Sequence, residues 1–120
     1  MKCIFCKIIN GDIPSYTIYE DDIVKVFLNI EPAAPGHSLI VPKKHFDNLE
    51  DIDMDTLSHI NKISKEIYKL LKDKLNIDSM SVMQNNGSIQ EVLHYHMHIR
   101  PYYNSDNSKS IEEVFDILKN

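Results

Sequence analysis

The sequence has no long apolar run and no cluster of basic residues. No apolar stretch approaches the length that crosses a membrane, so we expect no membrane partner. Lysine and arginine total 13 against 18 aspartates and glutamates, a formal net charge of −5, and basic residues cluster nowhere beyond Pro42-Lys43-Lys44. Nucleic acid polymers bind through a basic stripe, so we expect none as a partner, although a few N–H groups and imidazoles can hold one small anion.

Several familiar signatures of enzyme sites are also missing. The sequence contains no Gly-x-Ser-x-Gly elbow, no Walker loop, no dinucleotide fingerprint and no obvious pair of carboxylates. Residues 1–7 carry no long apolar segment and no small-residue cleavage site, so we expect a cytoplasmic protein. The only cysteines are Cys3 and Cys6, and in a reducing compartment this Cys-x-x-Cys pair suits metal binding or redox chemistry better than a structural disulfide.

The size and patterning of the chain predict one α+β domain. A chain of 120 residues can bury one core but not two, so residues 1–120 are predicted to be a single domain. Apolar residues step by three or four between 57 and 75, which predicts a long helix over 53–75. Strands in runs around this helix indicate an antiparallel, meander-like sheet. The other predicted elements are a helical turn at 3–10, strands at 16–20, 23–29, 38–42, 77–84 and from about 92 to a stop at Pro101, and a short amphipathic helix at 111–119.

The row His94, His96, His98 is the strongest sign of chemistry. Successive side chains of a strand point to opposite faces, so an extended segment puts the three imidazoles and Arg100 on one face. The opposite face then carries Leu93, Tyr95, Met97 and Ile99. Half of the six histidines fall within five residues, and we interpret this row as an active site.

The spacing of the row favours divided roles for its members. Histidines two apart on a strand lie about 6.6 to 6.8 Å apart at Cα, so all three converge poorly on one ion. A neutral imidazole is a competent nucleophile near pH 7, and His96 has an imidazole on each side. Attack on phosphorus would give a phospho- or nucleotidyl-histidine that water later cleaves, with His98 and His37 as donors to the developing negative charge.

Two other functions stay open at this point. A metal-dependent enzyme or binding module would use His96 and His98 as ligands, but no carboxylate stands at a compelling spacing for a third ligand. A signalling or interaction protein would keep a pocket that binds a nucleotide but would have lost the ability to cleave it.

Leu-His-Tyr-His-Met-His-Ile-Arg-Pro at 93–101 resembles the signature of the histidine triad (HIT) family. The resemblance runs from Cys3 to about Pro101. Further stretches in the expected order are Ile-Phe-Cys-Lys-Ile-Ile at 4–9, Phe-Leu-Asn at 27–29, Pro-Gly-His at 35–37, Leu-Ile-Val-Pro-Lys at 39–43 and Asn-Asn-Gly at 85–87.

The resemblance implies a five-stranded antiparallel sheet with one long helix and a short C-terminal helix, usually paired into a homodimer. It also implies cleavage of nucleoside 5′-phosphoramidates, dinucleoside polyphosphates or related purine nucleotidyl substrates at the α-phosphate. His96 would be the nucleophile, with His98 and His37 on the phosphate or leaving group. The implied nucleotide-binding residues are Asn29 at the ribose hydroxyls, Asn85 and Gln90 near the phosphate, and Phe5, Ile8, Phe27 and Leu39 around the base, although these last four fit a simple core equally well.

Many bacterial members that this chain resembles hold a structural zinc with the cysteine pair and two histidines. The matching residues are Cys3, Cys6, His45 and His94. Four nitrogen and sulfur ligands suit a closed tetrahedral site, which would give His94 a task apart from catalysis, and no metal is implied for the chemistry itself. The alternative is two free thiols and two unconnected histidines.

The sequence departs from the family pattern just before the row. Ser88-Ile89-Gln90 stands where Ala-Gly-Gln is common, and the loop between Asn85 and His94 is shorter than usual. A glycine there lets the backbone approach phosphate closely, so Ile89 is expected to reshape the phosphate pocket. Glu91 stands where serine is common, and its charge would repel phosphate if it turned inward.

Overall fold

A computed structural model describes residues 3–120; Met1 and Lys2, the start of the segment without signal-peptide features, lie outside the described residues. The elements in chain order are α1 (Ile4–Ile9), β1 (Thr17–Glu20), β2 (Val24–Leu28), β3 (Ser38–Pro42), α2 (Met54–Leu75), β4 (Ser79–Met83), a 3₁₀ turn (Gly87–Ile89), β5 (Met97–Tyr102) and α3 (Ile111–Lys119). Within residues 3–120, no helix is both long and apolar enough to cross a membrane.

The five strands form one antiparallel sheet in the order β1-β2-β3-β5-β4. The α+β class and the five-stranded antiparallel sheet are therefore confirmed. The meander is wrong in one respect, because β5 lies between β3 and β4. The 22 residues of α2 span about 33 Å, so the helix carries the chain from β3 to the far edge of the sheet. β4 forms at that edge, and β5 then pairs between β3 and β4.

The main core lies between α2, α3 and one face of the sheet. Val26, Ile40 and Ile99 on the strands and Ile60 and Leu71 on α2 are fully buried in it. The stripe predicted for the long helix is thus its buried face. The helix begins one residue later than predicted because Asp53 is its N-cap, where the Asp53 Oδ2 accepts from the Thr56 N–H at 3.0 Å.

The opposite face of the sheet is covered by α1, and this face positions the candidate functional site. Phe27, Leu39 and His98 are neighbours in register across β2, β3 and β5. Phe5 and Ile8 of α1 pack onto Phe27 and Leu39 in a second buried cluster. An apolar layer and a histidine therefore share one face.

The histidine segment is not one continuous strand. β5 begins at Met97, so of the three histidines only His98 is in the sheet. The chain bends before it, because the His94 N–H donates to the Val92 oxygen at 2.9 Å and the Tyr95 N–H donates to the Phe46 oxygen at 2.7 Å.

The predicted alternation of faces survives only in part. Tyr95, Met97 and Ile99 do enter the main core, but the prediction for Leu93 is wrong, because Leu93 lies in the bend and is exposed.

Pro101 does not end the last strand as predicted. It pairs with Met80 inside β5, and Tyr102 is the final residue of the strand. The pairing of β5 with β3 stops at Ile99, so Pro101 has a strand neighbour on one side only. The missing N–H of a proline costs no ladder hydrogen bond when it faces an unpaired side.

Candidate functional site

His96 is held with one ring nitrogen free. Its Nδ1 lies 2.7 Å from the His94 backbone oxygen, and since a carbonyl only accepts, Nδ1 carries the proton and donates. The lone pair of a neutral His96 is therefore on Nε2. The ring is 4 % exposed and packs against the Phe5 ring at 5.0 Å between centroids. Burial and one hydrogen bond fix the imidazole in an orientation that leaves the Nε2 lone pair without a partner in the His94 carbonyl contact, as a nucleophile would require.

His37 and His98 form a second, directed pair. The Ala33 N–H donates to His37 Nδ1 at 2.9 Å, so a neutral His37 carries its proton on Nε2. That Nε2 donates to His98 Nδ1 at 3.0 Å, which leaves the proton of His98 on its own Nε2. This last N–H is buried and has no partner among the described residues. The His98 ring lies 5.1 Å from the His96 ring, so this unpartnered donor lies beside His96.

The environment keeps this pair neutral. Burial lowers the pKa of His37 to about 4, and positive charge on His98 and Arg100 acts in the same direction. Burial also lowers the pKa of His98, with His96 and Arg100 adding to the effect and the Glu91 carboxylate opposing it. Both imidazoles are thus neutral at pH 7, as the chain of donors requires.

Asn29, predicted at the ribose hydroxyls, lies beside the histidine pair. Its Nδ2 is 3.5 Å from His37 Nε2, and its Oδ1 accepts from the Glu31 N–H at 3.0 Å. Its backbone N–H donates to the His37 oxygen at 2.9 Å. The loop between β2 and β3 therefore delivers Asn29 and His37 together.

The two polar residues predicted near the phosphate are placed differently. The Gln90 Nε2 donates to the backbone oxygens of Asp47 at 2.8 Å and Val92 at 3.3 Å. Its Oε1 accepts from the Gly87 N–H at 2.9 Å, so the amide braces the loop before the histidines. Asn85 is half-buried, and no hydrogen bond of the described chain joins its side chain to a histidine. Phosphate contact by either residue stays a prediction.

The four residues predicted around the base form one closed cluster. Phe5, Ile8, Phe27 and Leu39 are each no more than 7 % exposed, and the Phe5 and Phe27 rings meet edge to face at 5.7 Å. The cluster is separate from the main core and lies against His96 through Phe5. A base bound there would have to part α1 from the sheet, so base binding also stays a prediction.

Four potential metal ligands converge at the N-terminal end of α1. The ligand atoms of Cys3, Cys6, His45 and His94 all lie within 4.8 Å of one another. The His94 Nδ1 is 3.3 Å from the Cys3 sulfur and 3.6 Å from the Cys6 sulfur, and the His45 Nδ1 is 3.3 Å from the Cys6 sulfur. Ligands of a tetrahedral zinc lie about 3.3 to 3.8 Å apart, given bond lengths of about 2.0 to 2.3 Å. The residues therefore fit a zinc ion.

Partners on the far side of each ring prepare these histidines as ligands. His94 Nε2 donates to the Pro42 oxygen at 2.8 Å and His45 Nε2 lies 2.9 Å from the Asp47 Oδ1, so both Nδ1 lone pairs face the sulfurs. Burial lowers the pKa of His94 to about 4, which keeps it neutral. Burial and the nearby thiol of Cys3 raise the pKa of Cys6 to about 11, a shift that a bound cation would reverse.

Of the three histidines in the row, only His94 belongs to a set of converging ligands. Within residues 3–120, no set of three or more histidine, cysteine or acidic ligand atoms that converge closely enough to hold a metal ion includes His96 or His98. The donor set that a metal-dependent site at these two histidines needs is thus not assembled there.

Sequence reasoning missed the residues that orient the histidines. Asp47 follows His45 by two positions, a spacing from which the contact could have been anticipated. The other orienting groups are backbone atoms of Ala33, Pro42 and His94, which carry no signal in the sequence because any residue supplies them.

Fold and site together define an α+β protein with a histidine cluster on one face of its sheet, and the comparisons with known proteins agree. Residues 10–105 match the HIT domain family. The chain is 46 % identical over 106 residues to an uncharacterised HIT-like protein of Methanocaldococcus jannaschii, covering 87 % of this chain and 81 % of that one. It is 45 % identical over 101 residues to an adenosine 5′-monophosphoramidase of Saccharomyces cerevisiae, covering 82 % of this chain and 61 % of that one.

Among solved structures, a zinc-bound histidine triad family protein from Mycobacterium smegmatis superposes with a TM-score of 0.92 at 31 % identity, covering 99 % of this chain and 91 % of that one. The protein belongs to the HIT family.

Proposed function

We propose that the protein cleaves nucleoside 5′-phosphoramidates or dinucleoside polyphosphates at the α-phosphate through a covalent nucleotidyl-histidine on His96. The observation that carries this proposal is the hydrogen bond from His96 Nδ1 to the His94 oxygen, which leaves the Nε2 lone pair free beside the donor of His98. The yeast relative is a named adenosine 5′-monophosphoramidase, which supports the choice of substrate class.

The reaction has two steps at one phosphorus atom. His96 Nε2 forms a bond to the α-phosphorus, and the bond from phosphorus to the leaving nitrogen or oxygen breaks, so that the leaving atom takes the electron pair; a leaving amine also takes a proton from solvent. Water then forms a bond to the same phosphorus and loses a proton to solvent. The bond from phosphorus to His96 breaks with its electron pair returning to Nε2, and a nucleoside monophosphate leaves with neutral His96 restored. Throughout, the His98 Nε2–H donates to a phosphoryl oxygen, where negative charge gathers.

His37 acts on this reaction through His98. Its Nε2–H holds the His98 Nδ1 as an acceptor and so keeps the His98 proton on Nε2, where the phosphate needs it. Asn29 lies next to His37 and would bind the ribose hydroxyls. The purine base would enter between α1 and the sheet, among Phe5 and its neighbours.

We propose that Zn²⁺ binds Cys3, Cys6, His45 and His94, a proposal supported by the fit of the four ligands and by the zinc-bound relative. When bound, the ion would supply structural cross-links between α1, the loop after β3 and the segment before β5, and no chemistry at phosphorus. By fixing His94, it would also fix the carbonyl that orients His96.

We propose a cytoplasmic homodimer that acts on small nucleotides. β4 is an edge strand of the sheet whose Val82 and Met83 are exposed, and a second copy paired along this edge would cover them. Sedimentation of the full chain at several concentrations tests the dimer.

Turnover of two substrates by wild type and His96→Ala tests the proposed reaction. AMP release from adenosine 5′-phosphoramidate and from diadenosine tetraphosphate is expected to fall to background in His96→Ala. His59→Ala is the matched control, because His59 lies on α2, which packs on the face of the sheet opposite α1, and its ring contacts Asp21. Wild-type turnover in His96→Ala would show that the nucleophile is another group. A wild type that binds nucleotides and cleaves neither substrate would favour the binding-only function.

A further inference from the structure

Two buried side-chain atoms of the described chain lack a hydrogen-bond partner, and they lie two residues apart. They are Nε2 of His98 and Nε of Arg100. Both residues belong to β5 and point to the face that carries the histidines, since alternate residues of a strand share a face. A buried polar group without a partner is costly, so a pair of them marks a place where something else binds.

Both atoms are donors. The chain of hydrogen bonds from Ala33 through His37 assigns the proton of His98 to Nε2. The guanidinium of Arg100 is always charged and offers donors only. The ligand that satisfies both must therefore supply acceptors, and beside a fixed positive charge an anion is favoured.

Arg100 is unusual in this chain. It is the only arginine among 13 basic residues, the other 12 being lysines. It forms no ion pair among residues 3–120, whereas Lys25 and Lys43 both approach Glu20. Arginine differs from lysine in a planar fork that matches the oxygens of phosphate. Arg100 is partly buried and has no carboxylate partner among residues 3–120, so binding a phosphate of a ligand suits it better than a structural ion pair.

Arg100 also has space around it. It lines a cleft of about 310 Å³ together with Ala33, Ala34 and Pro35 of the loop that carries His37. The β3–β5 register, in which Ser38 lies opposite Ile99, brings the start of β3 next to Arg100. One carboxylate, Asp106, lines the same cleft without reaching ion-pair distance of the arginine.

We propose that Arg100 binds a phosphate of the substrate other than the one attacked by His96. The inference rests on the proposed function and narrows its substrate class: nucleotidyl substrates with a phosphate leaving group, such as dinucleoside polyphosphates, are preferred over phosphoramidates whose leaving group is an uncharged amine. His98 contacts the reacting phosphate, and Arg100, further along the same strand, holds the next one. Arg100 is thus a specificity-determining residue.

A binding experiment tests the site without any turnover. Arg100 gives the only arginine Nε–H resonance of the protein, so ¹⁵N NMR reports on it directly. In His96→Ala, which cannot form the covalent intermediate, ADP is expected to shift this resonance and AMP is not. Equal shifts with both nucleotides, or a shift with neither at saturation, would overturn the proposal. Inorganic pyrophosphate is the third probe: a shift as large as that with ADP at equal concentration would assign the site to a free anion and overturn the assignment to substrate.

A kinetic experiment tests the specificity. Arg100→Gln is expected to lower kcat/KM for diadenosine tetraphosphate by about 10- to 100-fold, the loss typical of one hydrogen bond to a charged group, and to change kcat/KM for adenosine 5′-phosphoramidate by less than about threefold. Arg100→Lys keeps the charge and is expected to recover part of the loss. Lys62→Gln, on the exposed face of α2, controls for the charge change.

Equal losses on both substrates would mean that Arg100 is merely structural, and would overturn the proposal. If the wild type cleaves neither substrate, the proposed hydrolysis fails, and the NMR result alone decides the anion site.

Discussion

Gly36 links the main core to the loop that carries His37, and its replacement gives the sharpest test of the packing. Its φ is +94°, a region that side chains with a Cβ rarely adopt. A Cβ added there would lie 2.9 Å from Leu75 Cδ1, 3.2 Å from Leu71 Cδ2 and 3.4 Å from Pro101 Cγ. Leu71 and Leu75 are buried, so neither can move away freely. Gly36→Ala is therefore expected to combine backbone strain with overpacking.

Gly11 separates the two effects. Its φ is +86°, but a Cβ added there would meet nothing within 4 Å. Gly11→Ala should thus cost only the backbone strain, about 1 to 2 kcal/mol. Gly36→Ala should cost that amount plus about 1 to 3 kcal/mol for an extra methyl in a packed core. The entropy that alanine removes from the unfolded chain is the same in both variants and cancels in the comparison.

Urea unfolding measures the difference. With a slope of about 2 kcal/mol per molar urea, the midpoint of Gly36→Ala should lie about 0.5 to 1.5 M below that of Gly11→Ala. Equal midpoints would refute the reasoning, because they would show that the side chains of α2 and β5 around Gly36 can move to admit a methyl group with no loss of stability.

Two further predictions concern pH and metal. Burial lowers the pKa of His37 from 6.5 to about 4, so as the pH falls from 7 to 4 the unfolded chain binds a proton at this residue before the folded protein does. The free energy of unfolding should therefore fall by about 3 kcal/mol from this group. In urea titrations, His37→Asn should lose that part of the pH dependence. If the free energy of unfolding of the variant depends on pH as in the wild type, the lowered pKa of His37 is not its cause. Zinc removal by a chelator should lower the Tm of the wild type and leave Cys6→Ser nearly unchanged, because the variant lacks one of four ligands. A wild type that is purified without metal and whose Tm ignores added zinc would count against the site.

Much of the fold could be predicted because local patterns carried it. The apolar stripe of α2 and the strand over 38–42 depend on residue types that repeat along the chain, and both were found where predicted. α3 was predicted at its observed bounds for the same reason. The position of β5 between β3 and β4 could not be predicted in this way, since strand order depends on how α2 lays the chain across the sheet.

The row of histidines could likewise be predicted from the sequence only in part. Its residue types and spacing pointed to a shared site, but the expectation of one straight strand was wrong. The bend at His94 depends on backbone hydrogen bonds to Val92 and from Tyr95 to Phe46, and Phe46 is remote in sequence. Backbone groups look alike in every residue, so no sequence pattern announces such a contact.

By itself, the sequence determined which groups are available: imidazoles at every second position, two thiols three residues apart, and a single arginine two residues beyond the last histidine. Only the tertiary structure decided what each group can do. Carbonyl oxygens of Pro42 and His94 set which ring nitrogen of His94 and His96 is free, and the Ala33 N–H sets the direction of the His37–His98 pair. The physical reason is that an imidazole has two inequivalent nitrogens, and the hydrogen bond that one of them makes in the folded protein fixes the chemistry of the other.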